Sequence, residues 1–285
     1  MNGRGVFKQK IRPSTETEMS GRLTTSVVAL SMSFLAGCAV NPITGGKELM
    51  LFPEEHDVEL GASYAPEIEK QLGGKIPNET VQNYIDSVGQ RIAAVSHKPS
   101  LKYHFTAVED DSINAFALPG GYIFITKGML GKLESEQQLA AILAHETTHV
   151  VARDTAAAMS KEIGIGLLLS AVSSAGTSEG VITAADLARQ ILGLRYSRQD
   201  EYEADIGGLE YMVRAGYNPR GMLETMQMLE EEGKSARVPE FFSTHPSPAN
   251  RQAYIRSRIE SRYTAAPFQA PTDDYRRYVL EKLGP

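Results

Sequence analysis

Two histidines four residues apart with a glutamate between them, His145-Glu146-Thr147-Thr148-His149, are the residues most able to do chemistry in this chain. On a helix, positions four apart lie on one face and one turn apart. Both imidazoles can then bind one Zn²⁺ at ~2.0–2.1 Å. Glu146 would stand beside the ion without ligating it, placed to take a proton from an attacking water as general base. The run before it, Leu139-Ala140-Ala141-Ile142-Leu143-Ala144, is apolar, and two histidines and a glutamate buried there need compensating partners.

A catalytic zinc site takes a third protein ligand and keeps one position open. A third histidine six residues beyond His149 would define the metzincin arrangement, but that position holds Thr155, so this class is excluded. A carboxylate from a later helix is the other common solution. Glu201 and Asp205, four apart in Tyr196 to Asp205, face the same way, so one can ligate while the other orients a ligating histidine. Glu203 points elsewhere and is expected at the surface. Spacing alone leaves Glu162, Asp154 and Asp186 as alternatives to Glu201.

A helix is predicted from about Ser135, with Gln138 completing a capping-box pattern, to about Ala152, which would hold these groups. Further helices are expected from Pro53 to Leu72, Asn78 to Ser96, Thr183 to Leu194, Arg198 to Ala215, Gly221 to Glu232 and Pro248 to Tyr263. Strands are expected over Tyr103 to Val108 and on either side of the turn Pro119-Gly120-Gly121, at Asn114 to Leu118 and Tyr122 to Thr126. The apolar stretch Ile163 to Ala175 is short for a membrane span and is expected as a buried core helix.

The chain has 285 residues, 42% of them hydrophobic, enough for one substantial domain. A net charge of −6 with both signs interspersed gives no footprint for nucleic acid. A single cysteine, Cys38, rules out an intramolecular disulfide and any cysteine-rich metal site. That cysteine ends Leu35-Ala36-Gly37-Cys38, behind a basic residue and an apolar run of signal-peptide length. This looks like a bacterial lipobox. Residues 1–37 are accordingly expected as a cleaved lipoprotein signal, starting at Met1 or Met19, with Cys38 lipidated. A linker (38–52), a peptidase domain (53–265) and a tail (266–285) follow.

His-Glu-x-x-His followed by Ser-Arg-x-x-Glu-x-x-Ala-Asp (Ser197 to Asp205) is similar to the zinc peptidases of metallopeptidase family forty-eight. Further matches run in order through Cys38 to Gly45, Asn114 to Gly121 and Ser243 to Arg251. The resemblance implies an α+β, mainly helical, zincin-like (gluzincin) fold with a small sheet beside the histidine helix. It implies one Zn²⁺ held by His145, His149 and Glu201, with Glu146 as catalytic base and Asp205 behind a ligand. Asn114, Ala115 and Phe116 correspond to an edge strand that can pair with substrate backbone. His245 corresponds to a loop residue that can cover the metal, as access switch or fourth ligand. The implied activity is proteolysis of misfolded or stalled envelope proteins by an enzyme lipid-anchored at the outer membrane, facing the periplasm. Contact with the outer-membrane assembly machinery is a further implied partnership, and a non-catalytic or dual-role assembly factor is the alternative. The family usually has Gly where Thr148 stands and His where Asp154 stands, which bears on helix packing and substrate preference. His56, His97 and His104 have no partner pattern and are expected at the surface.

Overall fold

The computed structural model describes residues 37–172, 184–234, 239–246, 250–263 and 272–284, with residues 1 and 268. The elements begin with an antiparallel hairpin, β1 (Gly37–Val40) and β2 (Lys47–Met50). Helices α1 (Asp57–Gln71) and α2 (Glu79–Ala93) follow. A three-stranded sheet comes next, from β3 (His104–Val108), β4 (Ala115–Leu118) and β5 (Tyr122–Thr126) in the order β3-β5-β4. The remainder is helical: α3 (Lys127–Leu130), α4 (Glu136–Ala152), α5 (Asp154–Val172), α6 (Ala184–Leu192), α7 (Arg198–Arg214), α8 (Arg220–Gly233), α9 (Phe241–Thr244), α10 (Arg251–Arg262) and α11 (Asp274–Tyr278). The fold is α+β and mainly helical, with the small sheet packed beside α4.

Local chemistry sets the element ends much as the sequence suggests. Asn78 caps α2 by accepting from the N–H groups of Thr80 and Val81 at 3.0 and 3.3 Å. Ser135 caps α4 by accepting from Gln138 N at 3.3 Å, while the Gln138 side chain reaches back to Glu134 N rather than to the cap itself. Ser197 and Asp200 form a full capping box on α7, and Gly216 beyond its end has φ 84°. The turn Pro119-Gly120-Gly121 does join β4 to β5, antiparallel, whereas β3 runs parallel to β5. Gly120, at φ 75°, lies against the α1 backbone: a Cβ there would stand 2.5 Å from Asp57 O.

Three segments differ from expectation. Residues 38–52, expected as a linker, contain the β1–β2 hairpin around the turn at Asn41 to Gly46. The helix expected to start at Ile163 starts at Asp154, directly after α4. The two are separated by Arg153 alone, in a left-handed conformation (φ 65°, ψ 30°). A non-glycine residue there needs support, and Arg153 has it: Nε and Nη2 donate to Asp57 at 2.6 and 2.8 Å, and Nη2 also to Phe52 O at 2.9 Å. Residues 272–284, expected in a tail, carry α11, whose buried Tyr275 donates its hydroxyl to Leu130 O at 2.6 Å. Among the described residues no helix is long and apolar enough to cross a membrane. Residues 2–36, 173–183 and 247–249, including the proposed signal sequence and Leu35-Ala36 of the lipobox, lie outside the described residues.

Candidate metal centre

Helix α4 is buried over nearly its whole length, and its two histidines meet at their ring tips: His145 Nε2 and His149 Nε2 are 3.1 Å apart. Each ring is aimed by a carboxylate behind it. His145 Nδ1 lies 3.1 Å from Asp205 Oδ1, and His149 Nδ1 lies 2.7 Å from Asp154 Oδ2. With a carboxylate behind each Nδ1, a ring proton held there leaves Nε2 of both histidines available to a metal. At 3.1 Å the two Nε2 atoms need positive charge between them, a metal or in its place a proton. Burial pulls the His149 imidazole down, but Asp154 and Glu201 overcome it and hold it up to about 10. Two nitrogens bound tetrahedrally to one Zn²⁺ would stand about 3.3 Å apart, close to the observed spacing.

The third group comes from α7. Glu201 brings Oε2 to 3.6 Å from His145 Nε2 and Oε1 to 3.6 Å from His149 Nε2. Its two oxygens are fully buried and accept no hydrogen bond among the described residues; Arg251 Nη1 stands 3.0 Å from Oε2 as an ion pair, off the angle of a hydrogen bond. His245, at the end of α9, completes the group. One atom each of His145, His149, Glu201 and His245 lies within 4.8 Å of the others. The His245 ring stacks on Phe241 at 4.1 Å and its Nδ1 lies 3.2 Å from Phe241 O, leaving Nε2 buried and without a hydrogen-bond partner among the described residues. Glu146 stands beside this group, its Oε1 3.4 Å from His245 Nε2 and both oxygens buried without a hydrogen-bond donor among the described residues. So many orphaned buried donors and acceptors converging on one point are costly in an apolar interior, and a divalent cation satisfies them together. The donor set fits zinc.

Burial dominates the electrostatics. It pushes the Glu146 carboxyl up to about 8, although His149 pulls the other way. His245 is held well below its ordinary value, first by burial and then by its two neighbouring imidazoles. Asp205 shows the reverse: burial works upward, but Arg251 and His145 overcome it and hold the carboxyl below the usual carboxylate range. Asp154, which has no such arginine, is pushed up by burial to about 7.

The helices meet closely where the ligands need them to. Gly207 and Gly208 follow Asp205, and a Cβ on Gly207 would lie 2.6 Å from Thr148 Cγ2. The methyl-bearing Thr148 thus sits against a glycine on α7. Tyr196 stacks on His149 at 3.9 Å and, through its hydroxyl, contacts Thr155 at 3.0 Å.

The structure therefore brings together His145, Glu146, His149, Glu201, Asp205 and His245. Asn114, Ala115 and Phe116 lie at or beside β4, the edge of the sheet, and are buried; part of that edge is already engaged, since Thr155 donates to Ala117 O and Phe241 N to Ile113 O. Glu203, expected at the surface, is buried at 6% exposure because Asn41 Nδ2 donates to its Oε2 at 2.6 Å and Gln199 Nε2 to its Oε1 at 2.8 Å. His56 and His97 are exposed, but His104 is half-buried, stacked on Tyr122 at 4.5 Å. Tyr196 and Arg251 have no assigned role in the sequence reading, and Asp154, an alternative there to Glu201 as ligand, stands instead behind His149. Arg251 is buried and grips Asp205 with two bonds of 2.7 Å. The only signal for it was its place at the end of the Ser243 to Arg251 motif.

A His-Glu-x-x-His helix completed by a carboxylate from a later helix defines a zincin-like metal site. The chain belongs to peptidase family M48, whose match extends over residues 79–259. It is 31% identical over 217 residues to the beta-barrel assembly-enhancing protease of Escherichia coli, covering 71% of this chain and 43% of that protein. It is 34% identical over 169 residues to the mitochondrial metalloendopeptidase OMA1 of Schizosaccharomyces pombe, covering 59% of this chain and 50% of the relative. The matched region thus spans half or less of the length of either relative.

Proposed function

We propose that the protein is a zinc-dependent endopeptidase of the bacterial cell envelope that degrades misfolded or stalled envelope proteins. The observation that carries this reading is the buried convergence of His145, His149 and Glu201 with the Glu146 carboxylate beside it. Zinc held by His145, His149 and Glu201 would polarise the scissile carbonyl and acidify water. Glu146 takes the proton from the attacking water and delivers it to the leaving amine nitrogen. Asp205 and Asp154 fix the proton of each ligating imidazole on Nδ1, keeping Nε2 for the metal. Substrate backbone pairs along β4 beside Asn114, Ala115 and Phe116, a mode that asks little of substrate sequence. The test is casein hydrolysis with and without chelator, for wild type and Glu146→Gln. Loss of activity with zinc retained is expected in the variant; full activity there would sink the mechanism.

A gating role for His245 has its own support. Its free Nε2 belongs to the same four-residue group, so the imidazole can fill the fourth position at rest and leave when substrate enters. Exchange to alanine should raise basal proteolysis or weaken zinc retention, and a variant unchanged in both would end the idea. The name of the Escherichia coli relative, which joins assembly to proteolysis, supports a dual role with envelope assembly machinery as partner. Anchoring through a lipidated Cys38 rests on Leu35-Ala36-Gly37-Cys38, and placement at the outer membrane on Ala39 standing where Asp would favour the inner membrane. Mass spectrometry of the mature N-terminus tests it, and a chain with a free Cys38 thiol counts against it.

A further inference from the structure

Behind His149 lies a second group of metal-binding type, of which the peptidase chemistry uses only one oxygen, Asp154 Oδ2. Glu48 on β2, Asp154 at the start of α5 and Asp200 in the first turn of α7 each bring one carboxylate oxygen within 4.8 Å of the others. The hairpin that supplies Glu48 is pinned by Asn41, whose amide donates to Glu203 at 2.6 Å and to Glu48 Oε1 at 3.3 Å. Each of the three carboxylates spends one oxygen on a protein donor. Glu48 Oε1 takes Asn41, Asp154 Oδ2 takes His149 Nδ1, and Asp200 Oδ2 takes the Ser197 N–H at 2.7 Å. The oxygen that Asp154 has left, Oδ1, is buried in a residue only 2% exposed and accepts no hydrogen bond among the described residues.

We propose that Glu48, Asp154 and Asp200 form a binding site for a hard divalent cation of the calcium class. An all-oxygen carboxylate set suits such an ion, and calcium–oxygen distances of ~2.3–2.6 Å let ligands on opposite sides of one ion stand about 5 Å apart. Glu48 and Asp200 are half-exposed, so water can fill the remaining coordination positions. Charge asks for the same ion. Burial first, then Asp200 and Glu203, push the Glu48 carboxyl up, against the pull of Asn41 and of the exposed Lys161. A divalent cation would give Asp154 Oδ1 its missing partner while Oδ2 still holds His149. The site would also tie the N-terminal hairpin to α5 and α7. It stands on these residues alone and does not depend on which metal the histidines hold.

The experiment uses the full chain, zinc-loaded, titrated with calcium chloride in a calorimeter and followed by thermal unfolding. Asp200→Asn keeps the oxygen that caps Ser197, and Glu48→Gln lies on the hairpin; neither residue touches the histidine site. Wild type should bind one calcium per chain saturably and unfold at a higher temperature when it is bound. Both variants should bind at least roughly tenfold more weakly and lose that thermal shift. If one variant fails to fold, the other gives the same reading. Absence of saturable heat, binding undiminished in the folded variants, or an equal thermal shift from sodium chloride at matched ionic strength would each overturn the site.

Discussion

The two ligating histidines have the same task but sit on unlike foundations. Behind His145, Asp205 is closed off on every side: Arg251 grips it twice at 2.7 Å, Tyr254 donates its hydroxyl to it, and His145 takes what remains. Behind His149, Asp154 has one bonded oxygen and one orphan, and its neighbours Glu48 and Asp200 are acids. The consequence appears in the ionisation of two carboxylates that are both fully buried. Asp205 is held below the usual range, while Asp154 is pushed up to about 7. A buried carboxylate thus costs little when an arginine faces it and a great deal when only a histidine does. One flank is complete as built; the other calls for additional positive charge.

The largest effect should come from breaking the complete flank. Arg251→Met leaves Asp205 and Glu201 without their cation, and removing one partner from a buried pair costs about 3–5 kcal/mol. Denaturant unfolding of the metal-free protein measures it, and adding Asp205→Asn to the same chain should recover part of the loss. Next come the matched exchanges Asp205→Asn and Asp154→Asn, compared by zinc retention against a competing chelator. Loss of a carboxylate behind a ligating histidine typically weakens metal binding by about 10–100-fold. Asp205→Asn should fall near the upper end, because it also removes a partner from Arg251. Asp154→Asn should fall near the lower end, since the amide oxygen can still accept from His149 and a poorly compensated charge is gone. Equal losses at the two positions would remove the asymmetry.

Much of this site was readable from local pattern. The four-residue spacing of His145 and His149, the equal spacing of Glu201 and Asp205, and the caps at Asn78, Ser135 and Ser197 all act within one or two helical turns, where periodicity carries the information. What the sequence concealed depends on distant partners. Glu203 looked like a surface acid because nothing near it in sequence shows that Asn41 folds across to it. The succession of α5 directly on α4 was hidden because Arg153 takes up a left-handed turn supported by distant partners, Asp57 and Phe52 O. Asp154 is the instructive case. Its place in the sequence allows a third ligand or a helix-packing role, yet that same αL turn swings it back onto His149 instead. Arg251 offered only an arginine at a motif's end, and its role appears once α10 packs against α7.

The smallest effect tests how far the complete flank is built of separable parts. Tyr254 is half-buried, its ring edge-on to Tyr202 at 4.9 Å, and its hydroxyl is the outermost of the groups bonded to Asp205. Tyr254→Phe keeps the ring packing and deletes one hydrogen bond to a charged acceptor, which is worth about 1.5–3 kcal/mol at most. Arg251 still holds both Asp205 oxygens after the exchange, so the loss in unfolding free energy should lie at the lower end of that range. Zinc retention should fall by less than Asp154→Asn causes. A loss as large as that of Arg251→Met would mean that the hydroxyl and the guanidinium hold Asp205 as one cooperative unit, and the charge of Arg251 alone would no longer explain why the two flanks differ.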